Sequence, residues 1–599
     1  MSVRRILFNN RLKMLWVLAL LCGGVIALRL ADIQVVRHRT YEKLAEQNRT
    51  QILYQSAPRG RVFTADGIAV ASNAPSFSFY YLSSGADKDP SYLVRFAADV
   101  APHLKKEPQE VFAKVQEGTR TGKATLLADN LSTHSAVALR ELQQYYPGIY
   151  LSEETKRNYP YGSFASHLIG YIGNMTEKEW RKRDTKLNYR LNSKIGKNGI
   201  EKKYEKELKG EDGGVYLEVD YRGRAKSIIQ DKKWVAGSDV YLTLNFEVQK
   251  AAEDGLKHSK TGMGAAVALD ARSGAVLALA SAPAYDPNVF VQYSDEETPA
   301  ESKRIDEYNL AIQGIFPPAS TFKIITAAAA LEEGDLNPRR KIDCTGHYDT
   351  GPRTFKCWGT HGPVNFWEGM SHSCDVYFYS VAAQTGPAAI ERVERKFMIG
   401  RQTGIDLAGE KAGNLYGPTR RARNKTYWFI GDTLNLSIGQ GELLFTPLKM
   451  VQFAAAVASR GNVYRPYYVE KLVSNQSGRT QVVGKTEILQ KADLRPETYD
   501  KLFEALKYTV DFGTARRVKI NGLDVYGKTG TAQNPHGADH GWFMAFAGKE
   551  GQAPEIAVAV LVAHGEGGSS AAGPIARSML EAYFGLNKPQ TPAKKEVTP

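Results

Sequence analysis

The stretch P-P-A-S-T-F-K-I-I-T-A-A-A-A-L-E-E-G, residues 317–334, decides how the rest of the sequence is interpreted. It predicts a helix that two prolines introduce and Gly334 ends. Ser320 and Lys323 are three residues apart, so their side chains share one face of the first turn. A hydroxyl nucleophile beside an amine that takes its proton fits this pattern, and a helix N-terminus favours an oxyanion. Because S-x-x-K also occurs by chance, as an N-cap serine with a surface lysine, further motifs have to decide.

A second motif, V-Y-G-K-T-G-T-A at residues 525–532, predicts an apolar strand that runs into glycine. The side chains of Thr529 and Thr531 share one face of such a strand. Gly530 between them allows another backbone to approach closely. For this motif alone, a loop that carries Lys528 on the surface is the alternative.

A third motif, S-C-D at residues 373–375, completes the ordered set S-x-x-K, S-x-D, K-T-G. Ser373 follows Ser320 by 53 residues, and Lys528 follows Ser373 by 155. This set is the signature of penicillin-binding proteins and class A β-lactamases. The sequence resembles the class B penicillin-binding proteins, which are peptidoglycan D,D-transpeptidases, and among them the elongation-type branch called penicillin-binding protein 2.

The resemblance extends over nearly the whole chain. R-G-R-V-F-T-A-D-G (59–67) is similar to the family's R-G-x-I-x-D-R-N-G, although the Asp and the Arg-Asn of that motif are replaced here. The other matching stretches are Y-P-Y-G-S-F-A-S-H-L-I-G-Y-I-G (159–173), G-I-E-K-K-Y-E (199–205), S-I-G-Q-G-E-L-L-F-T-P-L (437–448), G-T-A (513–515) and D-H-G-W-F (539–543). So many matches in one order leave little room for chance.

The resemblance implies an α+β fold. An N-terminal transmembrane helix leads into an elongated pedestal domain and then into a penicillin-binding, β-lactamase-like transpeptidase domain, whose central antiparallel sheet is flanked by helices. Apolar strand patterns such as A-A-V-A-L-D (265–270) agree with that sheet. The expected segments are a cytoplasmic stub at 1–13, an anchor at 14–33, a pedestal (dimerisation-type) domain at 34–235, the transpeptidase domain at 236–585 and a disordered tail at 586–599.

The N-terminus carries an apolar run, M-L-W-V-L-A-L-L-C-G-G-V-I-A-L at residues 14–28, which continues past Arg29 to Ile33. About 20 residues are needed to span a bilayer, so the run suffices if Arg29 reaches the interface. A cleaved signal peptide is the alternative, but no small-x-small cleavage site is evident. Basic residues stand on both sides of the run, so charge alone does not settle the orientation. The resemblance implies a bacterial inner-membrane protein whose catalytic domain is periplasmic.

Length, composition and charge narrow the class of protein only slightly. A chain of 599 residues is too long for one core, so two or more domains are expected. Hydrophobic and charged contents of 43% and 24% are those of a globular protein. The net charge of +14 is spread along the chain with no basic run, which disfavours nucleic acid as a partner.

The resemblance also implies roles for the motif residues. Ser320 would attack the penultimate D-Ala carbonyl of a stem peptide, with Lys323 as general base. Ser373 would relay a proton to the leaving amine, close to Lys528. Thr529, Gly530 and Thr531 would bind the substrate, the two threonines holding its terminal carboxylate, and the N–H groups of Ser320 and Thr531 would form the oxyanion hole. β-Lactams would acylate Ser320 in the same way.

Asp375 departs from the usual pattern, in which the third position of the S-x-N motif is Asn. A carboxylate raises the pKa of a neighbouring lysine, whereas a second ammonium lowers it. A base must be neutral, so Asp375 works against Lys323 unless it mainly pairs with Lys528. Because elongation-type members accept Asp here, Asp375 is kept among the expected catalytic residues.

Three of the four cysteines, Cys344, Cys357 and Cys374, enclose His361 in the pattern C-x12-C-x3-H-x12-C. Three thiolates and one imidazole make a closed tetrahedral site for one structural zinc ion. The alternatives are a Cys344–Cys357 or Cys357–Cys374 disulfide with one free thiol, or three reduced buried cysteines. The resemblance favours zinc, since some elongation-type members bind it here through Asp, Asp, His and Cys. No organic cofactor is expected.

Other functions share some of these features. A soluble β-lactamase would lack the anchor and the pedestal. A division-type transpeptidase would share everything except details, and a β-lactam sensor would need a signalling domain. The resemblance implies that the partners are peptidoglycan stem peptides, a SEDS-family glycosyltransferase of RodA type and other proteins of the elongation complex.

Overall fold

The computed structural model describes residues 3–42, 50–83, 86–122, 124–146, 148–187, 189, 193–220, 225–292, 307–351 and 353–586. Within them the helices are α1 Val3–Ala31, α2 Pro90–Leu104, α3 Pro108–Thr121, α4 Thr133–Leu142, α5 Ser166–Ile169, α6 Glu177–Lys182, α7 Gly199–Lys203, α8 Glu205–Leu208, α9 Phe246–Lys257, α10 Asn288–Gln292, α11 Leu310–Gln313, α12 Lys323–Glu333, α13 Phe366–Ser371, α14 Asp375–Thr385, α15 Pro387–Lys396, α16 Pro418–Arg423, α17 Ile430–Ser437, α18 Pro447–Ala458, α19 Pro496–Phe512 and α20 Gly573–Tyr583.

The strands of the described chain are β1 Thr50–Gln55, β2 Val62–Phe63, β3 Ala69–Tyr81, β4 Thr125–Leu131, β5 Ile149–Asn158, β6 Ile172–Asn174, β7 Lys194–Gly196, β8 Gly213–Val219, β9 Ala225–Lys232, β10 Asp239–Leu242, β11 Gly264–Asp270, β12 Val276–Ala282, β13 Ile342–Cys344, β14 His347–Asp349, β15 Thr354–Lys356, β16 Gly362–Val364, β17 Asn462–Tyr464, β18 Val469–Val473, β19 Thr480–Val482, β20 Ile488–Lys491, β21 Leu523–Ala532, β22 His540–Lys549 and β23 Ile556–Val562. The α+β class is confirmed. The tail predicted to be disordered, 586–599, lies outside the described residues except for Leu586.

The N-terminal helix α1 continues into a π-helical turn at Asp32–Val36. The stretch Lys13–Val36 is 24 residues long with a mean hydropathy of 2.2, and none of it is buried inside the protein. It is long and apolar enough to cross a membrane. Arg29, which interrupts the apolar run, pairs with Asp32 at 2.7 Å.

The chain forms two compact units. Unit 1 comprises Met1–Pro58, Ala74–Lys156 and Glu211–Val235, and unit 2 comprises Arg59–Asn73, Arg157–Gly210 and Ala236–Pro599. Two segments within the range expected for the pedestal, 59–73 and 157–210, therefore group with the C-terminal part of the chain.

Unit 1 contains an antiparallel sheet in the order β1-β8-β9 and a helical core. α2 begins where the Asp89 side chain accepts the N–H of Ser91 at 2.9 Å, next to a proline in its first turn. Its apolar side chains recur at intervals of three and four residues, so one stripe faces the core. The buried members of this stripe are Leu93, Phe96, Ala97, Val100, Ala101 and Leu104.

Unit 2 is built on a five-stranded antiparallel sheet in the order β12-β11-β23-β22-β21. Every residue of β23 is buried, because helices cover both faces of the sheet. α9 and α20 cover one face, where Phe543 and Val560 lie. α12 and α18 cover the other, where Trp542 and Met544 lie. β21 is the edge strand, so it presents the K-T-G motif beside α12.

A buried ion network holds the early segments of unit 2 together. The carboxylate of Glu201 is fully buried and accepts Nε of Arg59 at 2.5 Å and Nε of Arg157 at 2.7 Å. Arg157 also donates to the carbonyl of Gly60 at 2.7 Å. β2 adds to β10 in parallel, with Val62 beside Val240. Long-range contacts of this kind explain why 59–73 and 157–210 fold with unit 2.

Candidate active site

Ser320 lies in a short 3-10 segment, Ala319–Phe322, that runs directly into α12. The sequence predicted a regular helix from the prolines onward, and the structure differs because the backbone of Ala319 is left-handed, with φ 52°. The N–H of Ala319 donates to the carbonyl of Gly439 at 2.9 Å. A Cβ at Gly439 would stand 2.2 Å from the Ala319 carbonyl oxygen, so only glycine fits there. The S-I-G-Q-G stretch therefore shapes the turn that carries Ser320.

Lys323 is fully buried at the start of α12. In the described part of the chain its Nζ donates to the Ser373 carbonyl at 2.7 Å, to Ser373 Oγ at 3.2 Å and to Asp375 Oδ1 at 2.7 Å. The Ser320 hydroxyl is not among these acceptors. Within the described residues the amine is thus held by the S-C-D motif and not by Ser320.

Ser373 occupies the centre of the site. Its backbone is left-handed, with φ 52°, which places it in the turn between α13 and α14. Its Oγ lies 2.9 Å from Nζ of Lys528 and 3.2 Å from Nζ of Lys323. One hydroxyl therefore bridges the amines of two motifs that are about 200 residues apart in sequence.

Lys528 points from β21 toward α12 and is fully buried. Besides Ser373, its Nζ donates to the carbonyl of Thr529 at 3.0 Å. Burial lowers the pKa of Lys528 well below its ordinary value, the nearby charge of Lys323 lowers it further, and Asp375 partly offsets both effects. Lys528 therefore loses its proton more readily than an exposed lysine does.

The rest of the K-T-G-T stretch lies on the edge strand β21. Thr529 is buried, and its hydroxyl lies 2.9 Å from that of Thr514. Thr531 is exposed. A Cβ at Gly530 would stand 3.2 Å from the carbonyl oxygen of Pro318, so glycine lets the edge strand pack against the turn that precedes Ser320.

Sequence reasoning missed two contacts of the sheet, one with the turn before Ser320 and one with the loop at Gly568. The buried indole of Trp542 donates to the carbonyl of Pro317 at 2.9 Å. A Cβ at Gly568 would stand 2.2 Å from the Trp542 carbonyl oxygen and 2.4 Å from that of Gly530. The D-H-G-W-F stretch was a signal for Trp542, whereas nothing local marks Gly568.

The predicted metal ligands come together in one cluster. The ligand atoms of Cys344, Cys357, His361 and Cys374 all lie within 4.8 Å of one another. Nδ1 of His361 is 3.4 Å from the sulfur of Cys344 and 3.6 Å from that of Cys357. The three cysteines are separate thiols here, so the structure contains neither disulfide that the sequence left open.

The cluster abuts the first turn of α14, which begins two residues after Ser373. The N–H of Asp375 donates to the sulfur of Cys357 at 3.3 Å, and the N–H of Tyr377 donates to the sulfur of Cys374 at 3.4 Å. A hydrogen bond from the Cys374 thiol lowers the pKa of Cys357 and raises the pKa of Cys374. The two sulfurs thus accept hydrogen bonds from backbone N–H groups in the first turn of α14, which have no acceptor within the helix.

Comparison with known proteins agrees with this arrangement. A model of the penicillin-binding protein transpeptidase domain matches residues 264–581, and a model of the penicillin-binding protein dimerisation domain matches residues 54–242. The chain belongs to the penicillin-binding protein transpeptidase family. Within this family it is 30% identical to the peptidoglycan D,D-transpeptidase MrdA of Escherichia coli, over 98% of this chain and 96% of that protein. It is 29% identical to MrdA of Acinetobacter baumannii, over 97% and 88%.

Solved structures of the family resemble the chain along most of its length. A chain of Pseudomonas aeruginosa PBP2 in complex with WCK 5153 gives a TM-score of 0.65 at 26% identity, covering 89% of this chain and 96% of that one. A chain from a peptidoglycan synthase complex, described as coordinating polymerisation and crosslinking, gives 0.71 at 26%, covering 97% and 99%. The resemblance to the penicillin-binding protein 2 branch stated from the sequence is confirmed.

Proposed function

We propose that the chain is an elongation-type peptidoglycan D,D-transpeptidase that works through an acyl-enzyme on Ser320. The observation that carries the proposal is the position of Ser373 Oγ, within 3.2 Å of the amines of both Lys323 and Lys528. Ser320 is half-buried and lies three residues before Lys323, in the 3-10 segment that runs into α12. This set of groups suits proton transfer during acyl transfer. The likeness to proteins named MrdA over nearly the full chain supports the substrate class.

The reaction has two steps. Ser320 Oγ attacks the carbonyl of the penultimate D-Ala, its proton passes to Lys323, and the C–N bond to the terminal D-Ala breaks as that amine takes a proton. The amine of a neighbouring stem peptide then attacks the ester and releases Ser320. β-Lactams enter the first step only, because the opened ring stays attached.

Proton transfer depends on the two lysines. Lys323 pairs with Asp375 at 2.7 Å, and a lysine acts as a base only when it is neutral. Lys528 has a lowered pKa, and Ser373 lies between the two amines. We assign to Ser373 the exchange of a proton between them, so that Lys323 becomes neutral when Ser320 attacks. Asp375 then sets the pH at which this exchange occurs.

The edge strand β21 provides the other half of the site. Every second residue of an edge strand directs its N–H and carbonyl away from the sheet. We assign to the N–H groups of Thr531 and Ser320 the binding of the oxyanion. Thr529 and Thr531 hold the terminal carboxylate, and Gly530 keeps the strand close to the nucleophile turn.

We propose that the cysteine cluster holds one structural zinc ion. Zinc bonds to sulfur and imidazole nitrogen in a tetrahedron place neighbouring ligand atoms about 3.5 to 3.8 Å apart. The separations from His361 Nδ1, 3.4 and 3.6 Å, fit this geometry. Three cysteines and one histidine form a closed set, so the ion would hold the loops around Cys344 and Cys357 and supply no reaction step. Elemental analysis with thiol titration tests this: one zinc per chain supports it, and a metal-free folded protein contradicts it.

We propose that the chain is anchored in the bacterial inner membrane by Lys13–Val36, with its catalytic unit in the periplasm. The apolar helix and the likeness to MrdA proteins support this. We further propose a RodA-type SEDS glycosyltransferase as its partner, together with other elongation-complex proteins. The support is the likeness to a chain of a synthase complex that coordinates polymerisation with crosslinking.

Release of D-Ala tests the proposed activity. The full-length protein in detergent is incubated with its glycosyltransferase partner and a lipid-linked disaccharide carrying a pentapeptide stem. We expect release of terminal D-Ala together with crosslinked dimers, and neither product from Ser320→Ala. Penicillin binding without any D-Ala release would instead favour a sensor.

A further inference from the structure

Thr514 lies in the loop after α19 and contacts three parts of the candidate active site. Its N–H donates to the carbonyl of Ser371 at 3.1 Å, two residues before Ser373. Its carbonyl accepts the hydroxyl of Ser569 at 2.7 Å. Its own hydroxyl lies 2.9 Å from that of Thr529 in the K-T-G stretch. One residue therefore joins the end of α13, just before the S-C-D motif, to the edge strand and to the loop beside Trp542.

The backbone on either side of Thr514 has little freedom. A Cβ at Gly513 would stand 2.5 Å from the Ser371 carbonyl oxygen, so the loop packs against α13 backbone to backbone. Ala515 is buried and donates its N–H to the carbonyl of Thr509. The Thr514 hydroxyl is therefore held in place by groups other than the one it contacts.

The hydroxyls of Thr514 and Thr529 have two hydrogens between them, and their mutual hydrogen bond uses one. A threonine hydroxyl donates one hydrogen bond and accepts up to two. One of the two hydrogens is used between Thr514 and Thr529, whichever residue donates it. Among the described residues neither hydroxyl has another hydrogen-bond partner, so the other hydrogen is available to a bound group, and Thr514 is only half-buried. A carboxylate, which only accepts, is the chemical partner that such a donor fits.

We propose that Thr514 is a positioning residue for the terminal carboxylate of the substrate, acting through Thr529. The proposal rests on the proposed transpeptidase function and assigns a role to the G-T-A stretch. Without the Thr514 hydroxyl, Thr529 would lose the partner that orients its O–H, although it would keep its place in the strand.

The test compares two probes on the same protein: benzylpenicillin, which has the free carboxylate, and its methyl ester, which does not. Acylation rate constants are measured for the full-length protein, for Thr514→Val, which has the same shape without the hydroxyl, and for Thr514→Ser, which restores it. Thr480→Val on the exposed strand β19 is the matched control. The ratio of the two rate constants does not depend on the fraction of active protein, so partial misfolding cannot imitate the effect.

We expect Thr514→Val to lower the ratio of the two rate constants, benzylpenicillin over its methyl ester, about tenfold, because one hydrogen bond to a charged group is lost. Most of this change should come from slower acylation by benzylpenicillin. Thr514→Ser should recover most of the preference, and the double variant with Thr529→Val should be no worse than Thr529→Val alone. An unchanged ratio in Thr514→Val, or effects of the two valines that simply multiply, would overturn the role of Thr514 and leave the proposed function standing. A wild-type protein that benzylpenicillin does not acylate would overturn the proposed function itself.

Discussion

Lys323 and Asp375 form a buried ion pair, with Nζ 2.7 Å from Oδ1, at the point where the first two motifs meet. The lysine is fully buried and the carboxylate is 15% exposed. The usual motif of the family ends in a neutral Asn at this position. The pair therefore places a carboxylate charge beside the amines of Lys323 and Lys528.

Asp375→Asn should shift the pH profile of acylation. Removing the carboxylate removes the one interaction that raises the pKa of Lys528, and leaves burial and Lys323, which lower it. The neutral amine then persists to lower pH, so we expect the acidic limb of the profile to move to lower pH. The apparent pKa that this limb reports describes the two coupled lysines together and cannot be assigned to one of them.

The measurement is the rate constant of penicillin acylation across a pH series that covers the acidic limb. Asp500→Asn, which breaks an exposed ion pair with Arg460, is the control and should leave the profile unchanged. A limb that moves to higher pH in Asp375→Asn would contradict the role given to this carboxylate.

Gly568→Ala should reduce acylation strongly, whereas Gly567→Ala should not. The new methyl group at residue 568 would collide with backbone oxygens of Trp542 and Gly530, which cannot rotate away. At residue 567 it meets only the hydroxyl of Ser570 at 3.0 Å, which can move. We expect more than a tenfold loss for the first variant and less than a twofold loss for the second, measured as acylation rates. Equal rates in the two would show that the close packing of β21 and β22 against this loop is not needed.

Cys374→Ser should release metal and slow acylation together. The sulfur accepts the N–H of Tyr377 in the first turn of α14, so the cluster supports the turn that carries Ser373. We expect less than half of the wild-type zinc content and a several-fold slower reaction with penicillin. Cys22→Ser, in the apolar helix, is the control and should change neither. If Cys374→Ser keeps its full metal content and its full acylation rate, Cys374 is an ordinary buried cysteine that neither binds metal nor supports the site.

Glu253 gives unit 2 a predictable pH dependence of stability. Its carboxylate accepts the N–H of Ala165 at 2.6 Å and Nε2 of Gln249 at 2.7 Å, and burial raises its pKa from 4.5 to about 7. The folded protein thus binds this proton more tightly than the unfolded chain. The stabilisation is complete below pH 4.5 and is lost as the pH rises through about 7, an effect of roughly 3 kcal/mol.

Glu253→Gln carries no charge at any pH and should remove this dependence. We expect the difference in Tm between about pH 5 and about pH 8 to shrink by a few °C in that variant. Glu247→Gln, an exposed position on the same helix, should behave like the wild type. A wild-type protein that gains stability relative to Glu253→Gln as the pH rises through this range would contradict the predicted direction of the effect.

Local chemistry made part of the site predictable. Ser320 and Lys323 are three residues apart, so helix geometry alone places them on one face. Alternation along residues 525–532 predicted the strand that carries Lys528. That these elements meet at Ser373 required the family resemblance, because no local rule relates residues about 150 positions apart. The four predicted zinc ligands converge in space as their spacing suggested, although the sequence left their pairing open.

The remainder depends on contacts between distant segments. The left-handed backbone of Ala319 is set by the carbonyl of Gly439, which lies 120 residues further along the chain. The indole of Trp542 and the hydroxyl of Thr514 gain their roles only once β21, β22 and α12 are assembled. The buried carboxylate of Glu201 likewise draws the segments 59–73 and 157–210 into unit 2. Propensity and periodicity are properties of neighbours in sequence, so they carry no information on such pairs.

The site of penicillin attachment tests the role of Ser320 most directly. Full-length protein is treated with benzylpenicillin, digested, and analysed by mass spectrometry, with Ser320→Ala and Ser569→Ala treated in parallel. We predict one penicilloyl group on the peptide that contains Ser320 in the wild type and in Ser569→Ala, and none in Ser320→Ala. An adduct on any other residue, or undiminished labelling of Ser320→Ala, would contradict the assignment of Ser320 as the nucleophile.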